Sequence, residues 1–310
     1  MGRLRSDYLD RTNCDTIKGF FILMVFISHF MQYVSKAGGC VLNLYIGQLM
    51  VAPFLFFSGY GVMQSIKHKG GYVAKMPIHR MLNTLLNFDI AVLIFIVADV
   101  FLGRPLNCKQ IALSFICLDS VGNSNWYIFV ILLCYATAWL SAMISKRFAP
   151  EVVGLLCSLE VITMSFFFPS WWYDTLLCFA FGMLYSKYKD KIDLMRNKYY
   201  WVAISCVALL LGPLMIRCPG IYGLGANLKA IAFLSLIVCV MMRIPIRNTA
   251  LSWFGQRLFP LYIYQRLPMI IFFTLDPGGF ACWRMPIYLV LCFAVTILFA
   301  ASYPKWQIKL

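Results

Sequence analysis

Apolar residues fall along this chain in long runs separated by short clusters of charge, Gly and Pro. Most runs have the length of an α-helix crossing a bilayer, about 17 to 25 residues. They predict ten spans, near residues 16–35, 44–66, 82–102, 125–145, 151–170, 174–187, 199–216, 227–243, 250–275 and 285–303. The pattern is therefore that of an all-α, polytopic transmembrane bundle. Loops between spans are too short for a soluble domain, so residues 1–310 read as a single membrane-embedded domain. The first run lacks a small-residue cleavage site and is expected to remain as span 1. In the second span, "PFLFFSGYGVMQS" carries Pro53, Gly59 and Gly61. Close helix packing through small residues is the expectation there, with a kink lining a cavity as the alternative.

Composition sharpens this reading. Hydrophobic residues make up 62% of the 310 positions and charged ones 13%, more apolar than the roughly half expected of a soluble domain. The net charge of +15 raises the question of nucleic acid, but the placement of the charges answers it. With the N-terminus inside, the inner segments hold nineteen Lys and Arg and the outer segments six, Lys36, Arg104, Lys109, Arg217, Lys229 and Arg284. That asymmetry predicts cytoplasmic N- and C-termini, so the basic charge is topological and no nucleic-acid partner is implied. The expected location is the cell membrane, as a multi-pass protein. Twelve cysteines are scattered without a CxxC motif, and no histidine cluster accompanies them, so no metal site is expected. Cys108 with Cys117, or Cys218 with Cys282, could pair on the outer side.

Ionisable groups in hydrocarbon are costly and usually face the bundle interior, which makes each a candidate site residue. His29 is the foremost. It lies about 18 Å along span 1 from Ile17, inside an otherwise apolar stretch. A neutral imidazole there can take a proton from a hydroxyl; a core histidine bonded to a neighbouring helix is the plainer alternative. Asp15 is expected to cap span 1. Lys18 either snorkels to the interface or holds an anionic ligand at the inner mouth. Asp89, Glu160 and Arg266 fall near mid-span, where carboxylate–guanidinium pairing is expected, and Gln265 adds an amide at similar depth. Asn123, Asn125 and Trp126 open span 4, either as an interfacial anchor or as a surface that stacks on and hydrogen-bonds a sugar.

Four stretches resemble the integral-membrane acyltransferases of the acyltransferase 3 family: "RTNCDTIKGFFILMVFISHF", "PFLFFSGYGV", "NWYIFVILLCY" and "WFGQRLFPLYIYQRLPMI". Their order covers residues 11 to about 270. Three positions depart from the family pattern. Lys18, eleven residues before His29, stands where an Arg separated from the histidine by ten residues is usual, Asn83 replaces the second Arg of an Arg-x-x-Arg pair that begins at Arg80, and Gln265 occupies a segment that often carries a histidine. The loss of a planar guanidinium at Lys18 removes bidentate anion clamping at that position.

The resemblance implies transfer of an acyl group, usually acetyl, from acyl-CoA to a hydroxyl of a cell-surface or lipid-linked saccharide. Acetyl-CoA, or another acyl-CoA, would then be a co-substrate with no bound cofactor, and the bilayer and a saccharide or glycolipid the other partners. His29 would be the general base. Lys18, Arg80 and Asn83 would bind the donor, while Asn125, Trp126, Glu160, Gln265 and Arg266 would face the acceptor or the oxyanion. A proton-coupled transporter or flippase built on His29, Asp89 and Glu160 is the alternative, and a membrane acyltransferase acting on proteins or lipids is a third reading. Acceptor identity, acyl length and oligomeric state are not readable from the sequence.

Overall fold

The computed structural model describes residues 7–39, 48–195 and 222–310, and every regular element among them is helical. Helix α1 (Arg11–Lys36) starts one turn earlier than predicted. Asp10, in an extended conformation, is the N-cap, and its carboxylate accepts the Asn13 amide at 2.7 Å. Asp15 therefore does not cap the helix. It lies buried in the second turn, where it pairs with Lys18 at 2.6 Å and Arg11 at 3.6 Å.

Helix α2 (Ala52–His68) is followed by α3 (Tyr72–Met76), a π-helical stretch at Pro77–Leu82, and α4 (Asn83–Phe101). Then come α5 (Cys108–Phe115), α6 (Trp126–Ile144), α7 (Ala149–Phe167), α8 (Leu177–Met195) and α9 (Tyr222–Arg243). The chain closes with α10 (Thr249–Gln256), α11 (Leu258–Tyr264), α12 (Arg266–Leu275) and α13 (Met285–Ser302).

Seven segments of the described residues are long and apolar enough to cross a membrane. The predicted span at 199–216 and the start of the one at 44–66 lie outside the described residues. Helix α2 has only 17 residues and is buried along most of its length, while α8 gives way to charge after Ser186. The predicted span 250–275 is not one helix but three, broken at Arg257 and Gln265. Pro260 and Pro268 have no N–H to return to Gln256 and Tyr264, so each removes a helical hydrogen bond beside a break.

Two pairs of helices meet backbone to backbone. A Cβ on Gly19 of α1 would stand 1.8 Å from the Leu251 carbonyl oxygen of α10, and one on Gly255 would stand 1.8 Å from that of Asp15. Gly59 of α2 and Gly182 of α8 do the same against Phe179 and Phe56. Gly59 of the second span thus serves packing, whereas Gly61 faces open space on a cavity wall, and α2 runs through both without a break. These contacts fix the start of α1 against α10, and so Lys18 near Arg257. Large apolar side chains such as Phe101, Phe167 and Leu298 point outward, as a lipid-facing surface requires.

Candidate functional site

A cavity of about 730 Å³ opens at the Lys18 end of α1. Four cationic residues line it: Arg11 and Lys18 from α1, Arg80 from the π-helical stretch, and Arg257 from the break before α11. No carboxylate lines it. Asp15 lies behind this wall and takes part of the Lys18 charge. The cavity thus brings together Lys18, Arg80 and Asn83, three residues from two separate sequence stretches.

The local structure explains how each is held. The wider π-helical turn re-aims Arg80 relative to α4, a device common at functional sites. Its Nε donates to the Tyr72 hydroxyl at 3.1 Å, and its guanidinium lies 5.9 Å from the Tyr135 ring centroid. Tyr135 in turn shares a 2.8 Å hydrogen bond with Ser58 of the second-span motif. Asn83 supplies its carbonyl oxygen to Asn87 Nδ2 at 2.7 Å. Asn87 also binds Ile308 through both backbone groups, which ties the segment carrying Tyr303, Pro304 and Gln307 onto the cavity wall.

Arg257 is a cavity residue that the sequence reading left inside an apolar span. Its guanidinium stacks 4.2 Å from the Trp253 ring centroid, and its buried Nε has no partner. Trp253 four residues earlier, with Pro260 three residues later, was the available signal. Arg257 carries a third guanidinium to the wall, beside those of Arg11 and Arg80, where Asn83 has none.

His29 does not line this cavity. It lies eleven residues beyond Lys18, about 16 Å further along α1. The cavity reaches Tyr127 and Tyr262, whose rings pack 5.0 Å apart and are both buried. The hydroxyls of Tyr262 and Ser124 lie close together, yet neither makes a hydrogen bond of good geometry. One turn beyond Tyr262 comes Arg266, whose charge acts on both Tyr262 and the His29 ring. The cavity therefore includes Tyr262 but does not open onto the imidazole. His29 itself is half-buried, with Gln32 nearby and its Nδ1 without a partner.

The remaining predicted residues divide. Gln265 is buried at the α11–α12 break. Its Nε2 donates to the Tyr262 carbonyl at 3.1 Å, and its Oε1 has no partner. It faces a small void against Ile22, Phe26 and Thr296. Asn125 is spent on structure, donating to the Cys117 carbonyl at 2.9 Å. Trp126 packs edge-on to Tyr127. Glu160 of α7 accepts the Thr137 hydroxyl of α6, with no described contact to His29 or the cavity. The expected carboxylate–guanidinium pairing of Asp89, Glu160 and Arg266 does not form among the described residues. Glu160 Oε1 accepts from Thr137, while Glu160 Oε2, Asp89 Oδ1 and Arg266 Nε remain without partners. Cys108, Cys117 and Cys282 carry free thiols, and Cys218 lies outside the described residues. No group of three metal-ligating side chains occurs among the described residues.

The cavity can hold a large anion by charge, and His29 can accept a proton in a largely apolar setting. Residues 11–303 match the family model Acyl_transf_3, described as an acyltransferase domain. No curated protein and no solved structure matches the chain.

Proposed function

Because the chain belongs to the acyltransferase 3 family, a group of membrane acyltransferases, we propose that it transfers an acyl group, acetyl in the simplest case, from acyl-CoA to a saccharide hydroxyl. The acceptor is a cell-surface or lipid-linked saccharide, and His29 is the general base. The observation that carries this reading is the cavity whose charged lining is wholly cationic: Arg11, Lys18, Arg80 and Arg257. A guanidinium suits phosphate oxygens because its planar fork donates two parallel hydrogen bonds. Arg257 has an unused Nε for that task. The apolar inner walls, including Phe54, Phe57 and Ile131, suit an extended pantetheine arm directed along α1 toward His29. On the positive-inside rule this end faces the cytoplasm, where acyl-CoA is found.

The chemistry is then an ordinary acyl transfer. His29 takes the proton of the acceptor hydroxyl as its oxygen attacks the thioester carbonyl. The tetrahedral oxyanion is stabilised by donors beside it, with the Arg266 guanidinium and the Tyr262 hydroxyl the best situated. Collapse breaks the C–S bond, and the CoA thiolate leaves with the proton held by His29. For the thioester to arrive, the Tyr262 ring must swing aside. Closing that passage between turnovers keeps water from the acyl donor.

The test uses the full chain in proteoliposomes with radiolabelled acetyl-CoA and an extracted glycan or glycolipid fraction. Covalent label on the acceptor, lost in His29→Ala, is the expected result. Flux of solute across the vesicle without covalent label would instead support the transporter alternative. A shift of one acyl mass in surface glycans, seen only when the gene is present, would identify the acceptor.

A further inference from the structure

At the far end of α1, polar groups gather without the carboxylates that would balance them. Lys36 Nζ lies 5.2 Å from the centroid of Tyr33, and Arg266 Cζ lies 5.9 Å from the same centroid. The two cations are thus no farther apart than these two distances together. Tyr33 stands one turn beyond His29 on the same face of α1. Arg104 joins them electrostatically at Lys36.

All twelve Asp and Glu of the chain lie among the described residues, so their partners can be followed one by one. At this end, Asp99 is taken by Arg104 at 2.6 Å. Asp276 is taken by Arg284 at 2.8 Å and by the Tyr288 hydroxyl at 2.7 Å, the latter holding its carboxyl below the ordinary range. No ion pair joins any carboxylate to Lys36 or Arg266 among the described residues. The half-buried Asp89 has an Oδ1 without a partner and makes no ion pair among the described residues, so it does not serve Arg266 either. Arg266, whose buried Nε has no partner, therefore acts on an imidazole whose Nδ1 is also free, and exposed Lys36 shares the Tyr33 ring with it. A buried guanidinium nitrogen left without a partner is costly, and an anionic ligand that pairs with Arg266 removes that cost.

We propose that the His29 end binds an acceptor that is itself anionic, with a carboxylate or phosphate seated between Lys36 and Arg266 and the hydroxyl to be acylated directed at His29. This names the acceptor class and rests on the acyltransferase reading. An acidic sugar or a sugar phosphate has the required chemistry, because in both the charge lies a few bonds from a free hydroxyl.

Binding can be measured without any donor, so the outcome is independent of whether label moves in the transfer assay. The full chain in nanodiscs is titrated with glucose, glucuronate and glucose 1-phosphate, followed by ligand-observed NMR. The expected result is at least one anion binding about tenfold more tightly than glucose, equivalent to about 1.4 kcal/mol. Lys36→Glu should remove or reverse that preference, and Lys36→Arg should keep it. Whether glucuronate or the phosphate binds better then tells an acidic sugar from a sugar phosphate. Equal binding of all three sugars overturns the proposal, as does a preference unchanged in Lys36→Glu. A preference abolished only by Arg257→Gln locates the anion in the other cavity and overturns it too.

Discussion

The two ends of α1 solve opposite problems with the same residue types. At the Lys18 end, basic side chains surround an open cavity, and much of their charge is already engaged: Lys18 with Asp15, Arg80 with Tyr72 and Tyr135, Arg257 over Trp253. At the His29 end, Arg266, Tyr262 and His29 all carry polar atoms without partners, and of the three only Tyr262 lines the cavity. The first arrangement turns cationic groups toward open space, whereas the second buries polar atoms that are expensive until something satisfies them. In the proposed mechanism the Tyr262 ring, at the cavity wall, separates donor binding from chemistry.

Substitutions that affect one end only would break or sharpen this contrast. The largest effect is expected from His29→Ala, which should lower transfer by about 10²- to 10⁴-fold, the usual contribution of a general base. Donor affinity should persist in that variant. Next comes Arg257→Gln, which removes a charge-assisted hydrogen bond of about 1.5–3 kcal/mol. The donor KM should rise about tenfold or more while kcat changes little, as steady-state kinetics at varied acyl-CoA would reveal. Tyr262→Ala tests the division itself. Opening the passage should raise acceptor-independent hydrolysis of acyl-CoA roughly severalfold, because water then reaches the thioester; free CoA release without acceptor is the readout. Smallest of all is Glu160→Gln, which should leave transfer within about twofold of wild type and shift only the thermal stability, since Glu160 answers Thr137 and neither end of α1.

Much of the helical frame was legible because apolar run length alone reports it. Lys18, Arg80 and Asn83 stand out in the sequence as well, although only their shared cavity shows that two distant stretches converge. Arg257 was hidden by the continuity of the apolar run around it. A hydropathy window averages across Pro260 and Pro268, whereas the backbone registers each as a lost hydrogen bond. The paired glycines were invisible for a different reason: Gly19 and Gly255 meet through tertiary packing, which no single stretch encodes. Expecting Arg266 to pair with a mid-span carboxylate followed from the cost of isolated charge, and depth along a span says nothing about which face a side chain occupies. Asp15 was misplaced by one turn because Asp10 and Asp15 both flank the start of the run, and local sequence favours neither strongly.

The most direct test of the two-ended account measures acetyl-CoA binding and acyl transfer side by side on His29→Ala and Arg257→Gln, each as the full chain in the same bilayer. The account predicts that His29→Ala binds donor like wild type and fails to transfer, whereas Arg257→Gln binds donor weakly and recovers transfer at saturating donor. Transfer by His29→Ala at the wild-type rate, or loss of donor binding in that variant with the protein still folded, would contradict it.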